Sequence, residues 1–414
     1  MTVEAARAVA DAVLYEGYLL YPYRASAAKN RSRWQFGVLG PPAAASPAFA
    51  EDPRMAMRCL LPSAVRPGSV TIHLRFLQLQ ARQVLDADCR AVTSLRHRDE
   101  TVLSWDEAVE HELTFGLSLA SDRSDFPVFI PGGVDEEPLG DDGLIVRRRW
   151  PLTARVRVRV EADDFRRLSI EVTNEHPDEV TSKDQAIRHS LLGAHLLLEA
   201  HDATFVSMQD PPPAAAAAAA RCHQERCWPV LAGSETVLLG APIILYDNPA
   251  VAAQSPGALF DATEIDEILT LRVMTMTDQE KAEARATDPR AGAIVDRCDT
   301  LTPGELQRLH GTRLDDSPWW DPATDDPGPD SVLINGVRVG QGSLVRVHPN
   351  RRADAQDLFF AGQVARVTAV MSDVDGGTHV ALVLVDDPAA DLHDWYGRYF
   401  YFAPDELEPI DKEV

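Results

Sequence analysis

The chain has 414 residues, 45% of them hydrophobic, enough to bury a large core and to divide into two or three domains. Its formal charge of −24 argues against general binding to nucleic acid or to an anionic membrane, because both carry the same sign. No run of about 18 apolar residues occurs, so neither a membrane-spanning helix nor membrane insertion is expected.

The N-terminal residues carry acids at Glu4 and Asp11 and no separated basic, apolar and cleavage regions, which predicts a cytoplasmic protein. The five cysteines are odd in number and mostly far apart, a pattern of reduced thiols rather than of a disulfide framework.

The block 15–39, YEGYLLYPYRASAAKNRSRWQFGVL, concentrates aromatics and positive charge. Tyr15, Tyr18, Tyr21 and Tyr23 are four of the eight tyrosines, and Arg24, Lys29, Arg31, Arg33 and Trp34 follow against a single acid, Glu16. One reading makes Tyr21, Tyr23, Arg24, Lys29, Arg31, Arg33 and Trp34 a partner-binding surface, since arginine and aromatic side chains combine contact area with polar reach. The other makes residues 12–20 a first strand with half-buried tyrosines, followed by a basic loop that answers the acidic body.

From about residue 14 to 172 the dominant signal is strand. Val70, Ile72, Leu74 and Phe76 alternate with Thr71, His73 and Arg75, and Val156, Val158 and Val160 alternate with Arg155, Arg157 and Arg159. Residues 168–172 continue the second run after a turn at Asp163 and Asp164, predicting a hairpin in an antiparallel sheet or sandwich.

Around 184–200, Ile187, Leu191, Ala194 and Leu198 have helical spacing. The low-complexity tract 211–220, PPPAAAAAAA, predicts a helix start or stiff linker that is exposed. Residues 237–246 and 268–276 read as apolar strands rejoining the first sheet.

Thr277 with Glu280 has capping-box spacing, and Asp288 before Pro289 marks a second helix start. Thr302, Pro303 and Glu305 mark a third, stopped by Gly311. The proline- and aspartate-rich stretch 312–330 reads as a linker. Five short strand patterns in 331–410 predict a small SH3-like β-barrel. The expected fold is therefore α+β and mainly β: a core domain over 1–276 with a low-complexity insert near 211–220, a helical segment over 277–311 packed on it, the linker, and the barrel.

Candidate chemistry is sparse. Cys222, His223 and Cys227 offer metal-ligating types, but no second close pair accompanies them, so no metal or other cofactor is expected. Asp261, Glu264, Asp266 and Glu267 supply paired carboxylates, and Asp247 follows an apolar strand where loops often carry function. A turn followed by a solvated face explains the acidic group better than catalysis does, because no histidine lies nearby in sequence, and a strand-ending Asx turn explains Asp247 equally well. His189, His195 and His201 recur every six residues, which on a helix scatters them around the axis. Neither a Walker loop nor GxGxxG, GxSxG or HExxH occurs.

The block 15–39, the tract WPVLAG with APIILYDNPAVAAQSPGALFDATEIDEILTLRVMTMTDQEK, and the closing FYFAPDELEPI together resemble an uncharacterised bacterial family encoded beside nickel-iron hydrogenase structural and maturation genes. The resemblance spans nearly the whole chain and brings no established catalytic residues. It implies a cytoplasmic accessory role, as chaperone or scaffold, binding a hydrogenase subunit or another maturation factor. A direct metal donor would be expected to carry a histidine-rich tract or paired CxxC motifs, and the chain has neither. The alternative is an enzyme of cofactor assembly using Asp247, Glu264 and Glu267 in a carboxylate-lined pocket beneath the block.

Overall fold

The computed structural model describes residues 3–31, 36–63, 68–98, 100–251, 257, 259–260, 266–302, 331–348, 362–372, 378–385 and 400–410. The chain divides into two compact units, Met1–Thr312 and Arg313–Val414.

The first unit opens with helix α1 (Val3–Leu14), where a strand was expected from residue 12. Ala6, Val9, Ala10 and Val13 recur at helical spacing and are all buried, so the apolar stripe, not the tyrosines behind it, sets the local structure. Strands β1 (Arg54–Pro62), β2 (Ser69–Asp86), β3 (Ala91–Val92), β4 (Ser94–His97), β5 (Glu100–Leu103), β6 (Trp105–Ser118) and β7 (Arg123–Ile130) follow. Next come β8 (Gly133–Pro138), β9 (Gly143–Arg149), β10 (Leu152–Ala162), β11 (Phe165–Asn174), helix α2 (Lys183–Arg188) and β12 (Leu192–His201). Helix α3 (Pro213–Ala219), β13 (Trp228–Leu231) and β14 (Val237–Ala241) lead into helices α4 (Asp266–Met274), α5 (Asp278–Thr287) and α6 (Pro289–Thr300).

Two antiparallel sheets form a sandwich. One has four strands in the order β1-β11-β10-β7; the other has eight, along β13-β14-β12-β2-β9-β8 with β3 and β6 also on β2. The 18-residue β2 organises the second sheet: β6 runs along it from Ser69 to Arg82, while β12 and β9 take its first and second halves. Between the sheets lie Met57 and Cys59 of β1, Ile72, Leu74 and Phe76 of β2, Val156 and Val158 of β10, Ile170 and Val172 of β11, and Leu196 and Leu198 of β12.

The other face of the eight-stranded sheet is also covered. Leu77 and Leu79 pack against Tyr18, Tyr23, Val273, Ile294 and Val295, and Leu197 and Leu239 pack against α1. Burial on both faces explains two differences from the sequence expectation. Residues 192–201 form strand β12 rather than a helix; a strand covered on both sides needs no polar alternation, so its run of leucines fits either period. Residues 268–276 belong mostly to helix α4, whose Leu269 and Val273 dock on the sheet one turn apart.

The alanine tract is helical and mostly exposed, as expected, but Ala215 and Ala219 of α3 cover Leu60 of β1. Helix punctuation is as anticipated where it is described. Thr277 and Glu280 form a reciprocal capping box, and Asp288 caps α6 ahead of Pro289. The third helix start beyond Thr302 and the linker 312–330 lie outside the described residues.

The second unit holds a hairpin, β15 (Ser331–Ile334) with β16 (Val337–Gly340), turning on Asn335 and Gly336, both at positive φ. Its five-stranded antiparallel sheet has the order β20 (Phe400–Phe402), β19 (Thr378–Leu384), β18 (Val364–Ser372), β17 (Leu344–Val347), β21 (Leu407–Pro409). That path is open, so the described strands do not close a barrel. Among the described residues no helix is long and apolar enough to cross a membrane.

Candidate functional site

Three of the four tyrosines of the block, Tyr15, Tyr18 and Tyr23, are interior. Tyr23 is fully buried and donates to the Leu259 carbonyl oxygen at 3.0 Å; Tyr18, also buried, donates to Asp288 Oδ2 at 2.6 Å. Tyr15 lies under the Arg290 guanidinium, 4.1 Å from its ring centre, and burial pushes its phenol up to about 12. The loop after them is pinned by buried Asn30, whose amide donates to the Leu20 and Arg24 carbonyls while its oxygen accepts from Leu20 N.

Arg24 pairs with Glu280 and Glu283 at 3.3 and 3.7 Å. The expected surface of Tyr21, Tyr23, Arg24 and Lys29 is therefore corrected at Tyr23 and Arg24: one fills the core, and the other joins the block to α5. Tyr21 is half-buried beside Arg272, and Lys29 is exposed. Only the backbone of Arg31 is described, and Arg33 and Trp34 lie outside the described residues.

The alternative carboxylate pocket does not assemble from the described groups. Asp247 accepts from Ser207 Oγ and from Leu231 N at 2.8 Å, which fastens the loop after β14 to the edge strand β13. Glu267 is buried in α4, and Glu264 lies outside the described residues. Cys227 is buried in the sandwich core, where burial pushes its thiol up to about 12, whereas Cys222 is half-buried under α3 and His223 is exposed. Among the described residues no three metal-ligating side chains converge.

What the fold does create near the block is a recess of about 1040 Å³, which Ala25 and Asn30 help to wall. Its aromatic wall is Trp105 at the start of β6 and Trp150 after β9; Arg148, Lys183 and Arg188 line it together with the acids Glu51, Asp106 and Asp184. Strand alternation aims Arg148 there. Its neighbours Arg147 and Arg149 point to the opposite face and pair with Glu137 and Asp135 at 2.6 and 2.7 Å.

Helix α2, capped by Ser182, supplies Lys183 and Arg188, and the Arg188 guanidinium lies 4.6 Å from the Trp150 ring centre. Among the described residues none of Arg148, Lys183 and Arg188 has a carboxylate ion pair. Arg82, in the same lining, is different: its donors are spent on Glu107 and on the carbonyls of Leu103, Ala286 and Thr287, so it ties β2 to the end of α5.

Beside Arg188, the rings of His189 and His176 stack at 4.0 Å. Burial holds both below the usual imidazole range, and for His189 the charge of His176 adds to that effect.

A second polar cluster lies between α1 and the sheet. Arg75 meets Asp11, Glu110 and Glu112 at 2.5, 2.8 and 3.2 Å, and His73 sits 3.1 Å from Glu112 and 3.2 Å from Glu199. Hydrogen bonds from Arg7 hold Glu112 below the usual carboxylate range. This network docks α1 on β2, β6 and β12; a buried arginine left without its acids would carry an uncompensated charge.

The residues of the recess carried no motif. Their signal was the run Arg147–Arg148–Arg149–Trp150, in which every second cation must face the other way on a strand. No protein-family model matches the chain, and no curated protein sequence matches it.

Proposed function

We propose that this protein is a non-catalytic accessory protein that binds a protein partner through the recess, with a role in nickel-iron hydrogenase assembly or maturation. The observation that carries the binding reading is the meeting of Trp105 and Trp150 with three cations that have no carboxylate partner among the described residues. Tryptophan and arginine dominate the energetics of protein interfaces, because they bury area and still satisfy polar groups. Arg148, Lys183 and Arg188 offer ion-pair sites to carboxylates of the partner, while Glu51, Asp106 and Asp184 of the same lining offer sites to its cations, and the walls are set by β2, β6, β9 and α2 rather than by a loop alone. The hydrogenase context rests on the resemblance of the block 15–39 and of the two later tracts.

The test is capture of partners by the tagged protein from its native host, with hydrogenase activity measured in a deletion strain. A hydrogenase-system partner and reduced activity are expected, and Arg148→Glu combined with Lys183→Glu, both at exposed positions, is expected to abolish capture while leaving the thermal midpoint nearly unchanged. Full hydrogenase activity in the deletion strain together with no partner from that system overturns the reading.

A further inference from the structure

The outer face of the four-stranded sheet carries a second recess, of about 570 Å³, lined by the arginines at 54, 58, 157, 159, 167 and 221 against only two carboxylates, Glu161 and Glu171. Acids beyond the lining pair with several of these arginines, so what matters is which of the six they leave without a close carboxylate.

The strand register resolves this face into rows. Arg54, Thr173 and Arg155 form one; Ala56, Glu171 and Arg157 the next; Arg58, Ser169 and Arg159 the third. The first two are neutralised: Arg54 meets Glu171 and Glu225 at 3.2 and 2.6 Å, Arg155 meets Asp125 and Glu175 at 3.0 and 2.7 Å, and Arg157 meets Glu171 and Glu175 at 3.2 and 3.0 Å. Beyond the third row, Arg167 pairs with Glu161.

The third row is built differently. Its centre is the hydroxyl of Ser169, and among the described residues neither Arg58 nor Arg159 has a carboxylate partner. Arg58 spends one Nη1 donor on the His223 carbonyl, which places the segment carrying Arg221 and His223 at the rim. Arg221 itself is held only loosely, 3.9 Å from Asp163. With strands about 4.8 Å apart, the two guanidinium groups start from backbones about 10 Å apart and reach over the serine between them.

We propose that this recess binds a phosphate group, with Arg58 and Arg159 closing on it as two planar donor forks, Ser169 Oγ donating from below and Arg221 from the rim. Guanidinium suits the task because its paired N–H donors match two oxygens of a tetrahedral anion. Like charges flanking one strand position repel each other, and an anion between them removes that repulsion. Arg58, Arg159 and Arg221 are the cations of this lining that no carboxylate holds closely among the described residues, and the volume of about 570 Å³ leaves room for a diphosphate.

The test is isothermal titration calorimetry of the full chain with inorganic pyrophosphate and, separately, with a nucleoside diphosphate, at low and high ionic strength. Saturable 1:1 binding that weakens with salt is expected, at least tenfold weaker in Arg159→Gln and several-fold weaker in Ser169→Ala. Arg148→Gln, in the other recess, should leave it unchanged. Tighter binding of the nucleotide than of pyrophosphate would place the base in the recess as well; equal binding would leave the diphosphate as the whole determinant, and both support the site. Arg159 is exposed, so its replacement should keep the circular dichroism and thermal midpoint of the parent. Absence of saturable binding to either ligand, or equal affinity in Arg159→Gln, overturns the proposal.

Discussion

His195 is fully buried on the α1 side of β12, and its Nδ1 lies 2.8 Å from the Gly193 carbonyl oxygen. A carbonyl only accepts, so Nδ1 carries a proton, and full burial disfavours a second one on Nε2. Burial depresses its pKa to about 4, with the Gly193 bond acting the other way. In the unfolded chain the ring returns to about 6.5, so between those values the unfolded state binds more protons and stability rises with pH.

From this ring alone, lowering the pH from 7 to 5 should cost about 2 kcal/mol. Urea unfolding at the two pH values checks it: His195→Leu should show a shallower loss than the parent, and an equal loss would refute the assignment. The burial of Tyr18 and Tyr23 illustrates what residue type alone leaves open. Their density was legible in the sequence, but whether a tyrosine faces a partner or a core depends on Asp288 and Leu259, more than 230 positions away.

Among elements, β12 turns on Gly193. The register between β12 and β2 shifts between Leu192 and His195, and Gly193 there has φ of +60°, with any added Cβ falling 2.7 Å from the Leu14 carbonyl oxygen at the end of α1. Glycine permits both the positive φ and the close approach of the helix.

Gly193→Ala should therefore destabilise the protein by roughly 2–3 kcal/mol, from left-handed strain plus displacement of α1. Gly116→Ala on β6, where nothing lies within 4 Å, should shift the thermal midpoint little. Equal midpoints for both variants would contradict the bulge argument. The same bulge explains why residues 184–200 were not legible as a short helix followed by a strand. The apolar spacing crosses from α2 into β12, and the change of period falls at a glycine whose role is set by a distant helix.

For the whole molecule, each unit has its own core. The sandwich core and the two clusters on the helical side draw only on residues between Ala6 and Cys298, whereas the later core draws on Ile334 to Leu407. A chain ending at residue 312 should consequently retain cooperative urea unfolding and the β-sheet circular dichroism of the first unit; a non-cooperative transition would show that the second unit is needed for its fold.

The sequence by itself determined the mainly β character, the alternating strands of the four-stranded sheet and the caps of α5 and α6. These are local properties, carried by the period of side chains and by neighbouring hydrogen-bonding groups. Only the tertiary structure decided that Tyr15, Tyr18 and Tyr23 are core, that a leucine-rich stretch is a strand covered on both faces, and that Arg148 shares a recess with Lys183 and Arg188 while Arg58 and Arg159 flank Ser169. Those outcomes depend on which faces meet and which cations find carboxylates, and no local pattern along the chain encodes either.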